Sequence, residues 1–126
     1  SFPTRRSSDL LGLISGDVKL FPTPLFSDEN ERLQIPHMGW NSVHLIKRHP
    51  VLEGIKPADE FYFVHSYYPV PASDKCVIGT TDYGIEFASI IGHKNLIAMQ
   101  FHPEKSGTPG LKILKNFCTW NGHYAE

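Results

Sequence analysis

His102 and Glu104 are the residues whose types and spacing can do chemistry. They follow an apolar stretch, Asn95-Leu96-Ile97-Ala98-Met99-Gln100-Phe101, and stand two residues apart. On an extended chain residues i and i+2 point to the same side. The imidazole and the carboxylate are therefore expected to meet just past the end of a strand, where α/β sheets keep their reactive groups. A carboxylate beside an imidazole fixes its tautomer and stabilises the imidazolium that forms when it takes a proton, as the base of an acyl transfer requires. Pro103 removes one donor and stiffens the dipeptide between them. The bland alternative is a histidine that ends a strand beside a solvated loop acid. A metal site is the other chemistry seven histidines suggest, but His37, His44, His49, His65, His93, His102 and His123 include no His-x-x-x-His pair, and Cys76 and Cys118 form no Cys-x-x-Cys; no metal or cofactor is expected.

The elements that must position this pair are short β segments and one closing helix. Residues 11–14 read as the end of an element, with a tight turn at Ser15-Gly16-Asp17, and residues 18–21 as a strand stopped by Pro22 and Pro24. Residues 27–32 form a charged loop. Residues 32–35 and 42–46 are strand-like, and Gly39-Trp40-Asn41 between them suits a hairpin. Trp40, a large aromatic at that loop tip, is poorly placed to reach its own core and well placed to meet another protein; folding back over the sheet is the alternative. Residues 49–55 predict one helical turn stopped by Gly54. Residues 60–68 are the most aromatic stretch, a strand ended by Pro69 and Pro71. Residues 76–81 and 87–91 predict two strands around an Asp82-Tyr83-Gly84 turn, and residues 92–94 turn into the strand at 95–101. Thr108 as N-cap and Pro109 at the first helical position open the helix. Leu111, Leu114, Phe117 and Cys118 give it an apolar face to lay on the sheet.

Composition narrows the class of protein. With 126 residues, 40% hydrophobic, 20% charged and a net charge of −1, the chain suffices for one core. That balance gives no electrostatic reason to expect nucleic acid or an anionic membrane as a partner. No apolar run approaches a membrane span, and two cysteines make no disulfide framework, so a cytoplasmic setting is expected. Residues 1–10, Ser-Phe-Pro-Thr-Arg-Arg-Ser-Ser-Asp-Leu, show neither helical nor strand periodicity. They resemble a translated sequencing adapter and are set aside as a non-native tail, the alternative being a short disordered N-terminus.

Gln100-Phe101-His102-Pro103-Glu104-Lys105-Ser106, together with Pro36-His37-Met38-Gly39-Trp40-Asn41 and Tyr62-Phe63-Val64-His65-Ser66-Tyr67, resembles the class I (triad) glutamine amidotransferases. The Met38 block and Gly79-Thr80-Thr81-Asp82-Tyr83 are most similar to the glutaminase subunits of imidazole glycerol phosphate synthases. The resemblance runs from about Gly12 to about Trp120. It implies the C-terminal part of a three-layer α/β, flavodoxin-like domain with a mixed sheet, covering residues 11–126.

It also implies roles. His102 would be the general acid/base and Glu104 its orienting carboxylate, in an enzyme that hydrolyses glutamine to glutamate and ammonia and passes the ammonia to a cyclase subunit. Ser66 and Tyr67 would lie along the bound glutamine. Met38, Trp40, Asn41, Tyr62 and Lys105 would face the cyclase, Tyr62 near the ammonia exit and Lys105 in a salt bridge at its gate. The family's nucleophile is a cysteine on a Gly-x-Cys-x-Gly turn, and no such turn occurs here. Cys76 opens a strand and Cys118 sits on the helix's apolar face, so both read as buried, inert thiols, and this polypeptide by itself is expected to be inactive. Two other readings stand beside this one: a glutaminase serving a different triad amidotransferase, and a non-catalytic subunit that only docks on a cyclase.

Overall fold

In a computed structural model the described residues are 4–6 and 14–124. Eleven strands and one α-helix follow in chain order: β1 (Thr4–Arg6), β2 (Gly16–Leu20), β3 (Leu25–Phe26), β4 (Arg32–Leu33), β5 (His37–Ser42), β6 (His44–Leu45), β7 (Glu60–His65), β8 (Tyr67–Pro71), β9 (Val77–Asp82), β10 (Glu86–His93), β11 (Leu96–Met99) and α1 (Gly107–Thr119). They assemble as a sheet β1-β2-β8, a sheet β11-β10-β9-β6, a ribbon β5-β7 and a small hairpin β3-β4, and every described pairing is antiparallel. The class is α/β, mostly strand with one helix. The core joins these layers through Phe21, Phe61, Phe63, Ile78, Phe87, Ile90, Phe101 and Ile113.

The turn chemistry is local and was readable. Asp82 Oδ1 accepts the Gly84 N–H at 3.1 Å and Gly84 takes φ 77°, so the β9-β10 turn needs a residue free of a Cβ penalty. The charged loop closes β3 on β4, with the Ser27 N–H donating to Glu31 O at 2.8 Å. The predicted helical turn is a 3-10 segment, Pro50–Leu52, capped by His49 Nδ1, which accepts the Val51 N–H at 3.1 Å.

Several expectations are corrected. Gly39-Trp40-Asn41 is no hairpin tip: residues 37–42 are themselves a strand, β5, paired in register with β7 from His37↔His65 to Ser42↔Glu60. Long-range pairing with the aromatic strand outweighs the local turn signal there. Gly16 opens β2 instead of turning, because the Ala72 N–H reaches Ser15 O at 2.7 Å and extends the β2-β8 ladder. The aromatic stretch breaks at Ser66, and Pro69 and Pro71 lie inside β8. The Phe21 N to Ser66 O and Ala72 N to Ser15 O bonds set the ladder's phase, and both prolines fall at the non-bonded registers opposite Val18 and Gly16, where no N–H is required. Residues 4–6, expected to be without structure, pair with β2; an open strand edge accepts any extended backbone. The rest of the expected tail lies outside the described residues.

The helix is turned from its expected face. It begins at Gly107 after Ser106, not at Thr108, and its buried residues are Gly110 and Ile113, whereas Leu111, Leu114, Phe117 and Cys118 are exposed. On the inner side Asn116 Nδ2 donates to Val51 O at 3.1 Å and Glu53 O at 2.9 Å. Gly110, Ile113 and Asn116 carry the contact face, with Ile113 its one large apolar side chain, so counting apolar side chains chose the neighbouring stripe. Cys76 is half-buried, in the turn before β9, and Cys118 is exposed, against the expectation that both would be buried.

Candidate active site

The pair His102–Glu104 is assembled by a change of partner along one strand. Residues 96–99 pair with β10, and the Gln100 N–H still reaches Ser89 O at 2.8 Å. Phe101 then leaves that sheet and bridges to Phe63 of β7. The His102 N–H donates to Tyr62 O at 2.9 Å, and the chain folds at once into a 3-10 turn, Pro103–Lys105. The proximity of the two side chains comes from this turn and not from an extended i, i+2 relation. His102 Nδ1 lies 3.0 Å from Glu104 Oε2.

Ser106 bolts the turn down. Fully buried, its hydroxyl donates to His102 O at 2.6 Å and accepts the Tyr62 N–H at 2.9 Å. One side chain thereby ties the start of the turn, its end and β7 together. Gly110 lets α1 press on the same turn: a Cβ there would stand 2.0 Å from Pro103 O and 2.8 Å from the Ser106 Cβ. Neither residue was singled out from sequence, though a Ser and a Gly four apart across a helix start are a small-residue contact signal.

The electrostatics follow from geometry. The His102 and Glu104 side chains are 41% and 56% exposed, so solvent screens their attraction and the contact orients more than it stabilises. Glu104 is held below the usual carboxylate range, first by its own backbone N–H and then by the His102 hydrogen bond. An ionised carboxylate only accepts, so the proton between the two is on Nδ1. In the neutral ring Nε2, which has no partner among the described residues, then keeps a lone pair. That is the tautomer a general base would need.

The other predicted residues separate into groups. Met38, Trp40, Tyr62 and Val64 share the outward face of the β5-β7 ribbon, with Trp40 54% and Met38 61% exposed and the Trp40 ring edge-on to Tyr62 at 5.8 Å. Trp40 is thus exposed on a strand and not at a loop tip. Lys105, exposed, ends the 3-10 turn, between His102 and Ser106, which both bond the Tyr62 backbone. Asn41 is on the opposite, inward face, where its Nδ2 donates to Asp82 O at 2.9 Å and meets His37 Nε2 at 3.3 Å. Ser66 and Tyr67 sit at the junction of β7 and β8, four and five residues beyond Tyr62, or about 13 Å from it to Ser66 along an extended chain; among the described residues no hydrogen bond joins either to His102. Cys76 packs with Ile14, Ala88 and Ile91, and neither thiol is hydrogen-bonded to His102 among the described residues. Among these residues no three His, Cys, Asp or Glu side chains gather to hold a metal, and no helix is long and apolar enough to cross a membrane.

Residues 11–120 match the family model for glutamine amidotransferase class-I. The chain belongs to that family. This class I amidotransferase chain is 53% identical over 115 residues to the imidazole glycerol phosphate synthase subunit HisH of Nitratidesulfovibrio vulgaris strain Hildenborough, covering 86% of this chain and 52% of the relative. It is 50% identical over 107 residues to the subunit so named in Dehalococcoides mccartyi, at 85% and 48%, and 45% identical over 114 residues to that of Neisseria meningitidis, at 90% and 54%. The class I amidotransferase chain spans about half the length of these curated relatives.

Proposed function

We propose that residues 11–126 are the part of a glutaminase subunit of imidazole glycerol phosphate synthase that carries the proton-transfer pair, and that residues 1–10 lie outside its domain. His102 is the general acid/base and Glu104 its orienting carboxylate; the intact subunit hydrolyses glutamine to glutamate and ammonia. The observation that carries this reading is the 3.0 Å contact of His102 Nδ1 with Glu104 Oε2, which leaves Nε2 open. A cysteine nucleophile attacks the amide carbonyl as His102 takes its proton; the bond to ammonia breaks as His102 returns the proton, and water then opens the thioester. Neither Cys76 nor Cys118 fills that role, so this chain alone is inactive. Ser66 and Tyr67 lie along the glutamine. Met38, Trp40 and Tyr62 face the cyclase with Asn41 behind them, and Lys105 guards the ammonia passage. No cofactor takes part. The setting is cytoplasmic, in keeping with two free thiols.

The test is a full-length subunit in which residues 11–126 follow the N-terminal portion of the Nitratidesulfovibrio vulgaris relative, expressed with that organism's cyclase. Glutamine-dependent synthesis of imidazole glycerol phosphate is expected, and Lys105→Ala is expected to weaken transfer of ammonia while the fold persists. A subunit that folds, binds the cyclase and releases no glutamate overturns the enzymatic reading in favour of a docking protein.

A further inference from the structure

Beneath the outward face of the ribbon, β5 and β7 hold a pair of imidazoles that the chemistry proposed above does not use. His37, 2% exposed, lies across the ladder from His65, and its Nδ1 is 2.9 Å from His65 Nε2. The other nitrogen of His65, Nδ1, is 2.8 Å from Tyr67 O. A carbonyl oxygen only accepts, so that nitrogen carries a proton. In the neutral ring Nε2 is then an acceptor, and the proton between the two rings sits on His37 Nδ1. His37 Nε2 is left to accept from Asn41 Nδ2 at 3.3 Å. Each donor in the series Asn41, His37, His65 thus points toward the Tyr67 carbonyl.

The surroundings keep both rings neutral and still. The His37 ring is stacked between Phe63 at 4.7 Å and Tyr83 at 3.9 Å, and Phe21 stands edge-on to His37 and His65. Burial lowers both imidazoles, His37 to about 4 with His65 adding to the effect, and His65 in the same direction. Apolar residues would fill this space at less cost in desolvation. What the imidazoles add is direction: a hydrogen bond from a ring locked in the core to a backbone carbonyl where β7 gives way to β8.

We propose that His37 and His65 are positioning residues that hold the Tyr67 carbonyl, and with it the Ser66-Tyr67 backbone, in the conformation that receives glutamine. This rests on the reading that Ser66 and Tyr67 lie along the substrate. The dyad acts on binding and leaves the His102–Glu104 pair, carried by a different turn, untouched.

The experiment uses the full-length subunit in complex with the cyclase. His65→Leu removes the bond to Tyr67 O and is expected to raise KM for glutamine about tenfold with kcat changed less than about threefold. His65→Asn, whose Nδ2 can donate where the ring's Nδ1 does, is expected to restore most of the loss. A purely structural role would lower the concentration of active enzyme and leave KM alone. A folded His65→Leu complex with unchanged KM, or an Asn variant no better than Leu, overturns the proposal. Should the Leu variant not fold, nitrogen-15 spectra of the unmodified complex decide: Nδ1–H on both rings is expected, and Nε2–H on His65 overturns it. Loss of all glutaminase activity in the unmodified complex would instead sink the functional reading.

Discussion

Gly110 stands so close to Pro103 that a methyl group on it would lie 2.0 Å from the Pro103 carbonyl oxygen. The first turn of α1 is therefore in backbone contact with the turn that carries His102 and Glu104. Gly110→Ala forces the two apart. We expect a loss of about 1–3 kcal/mol in stability and a drop in glutaminase activity of the full-length subunit larger than the loss of folded protein. Urea unfolding alongside activity per folded molecule checks this; an unchanged unfolding midpoint contradicts the close approach.

Ser106→Ala leaves the Tyr62 N–H without its acceptor and His102 O without one of its donors. An unsatisfied buried group costs about 1–3 kcal/mol. The same turn would then hold His102 less firmly, so kcat should fall while KM for glutamine stays near its original value. Equal changes in both would mean that Ser106 supports the whole subunit and not this turn.

Glu104→Gln removes the charge beside His102 while keeping the shape. Because both side chains are substantially exposed and solvent screens their attraction, the unfolding midpoint should barely move. Activity should fall on the order of 10²- to 10⁴-fold, since the imidazole loses the group that sets its tautomer and stabilises its protonated form. Full activity in this variant would remove Glu104 from the mechanism.

Stability should weaken in mild acid. His37 and His65 sit below their ordinary value of 6.5 because burial disfavours their charged forms, and His49 shifts the same way for the same reason. Below pH 6.5 the unfolded chain takes up protons that the folded chain refuses, so stability is complete above that pH and declines as pH falls toward about 4, where His37 titrates in the fold. The slope for His37 alone is about 1.4 kcal/mol per pH unit. Denaturant unfolding at a series of pH values across this window measures it; a flat profile would mean that the folded chain takes up protons on these rings as readily as the unfolded one.

Trp40→Ala should leave the isolated subunit within about 0.5 kcal/mol of its original stability, because the ring is 54% exposed and rests mainly on Tyr62. Affinity for the cyclase should fall by about 2 kcal/mol or more, or roughly 30-fold, as for a central aromatic anchor. Calorimetric titration reads it, and undiminished affinity would move the docking face elsewhere.

What the sequence by itself determined is the part of this protein that rests on neighbours along the chain. The β9-β10 turn at Asp82-Tyr83-Gly84, the single helical turn stopped by Gly54 and the pairing of His102 with Glu104 all depend on residues within a few positions of one another, and each is found. Only the tertiary structure decided the rest. Trp40 belongs to a strand because β7, twenty residues on, pairs with β5; α1 turns its glycine inward because the turn at residues 103–106 needs backbone contact; and the two imidazoles of His37 and His65 meet because the ladder sets them opposite each other. Register and close approach are properties of two segments at once. Neither segment's composition encodes them, so spacing along one chain could locate the reactive pair but not the residues that hold it in place.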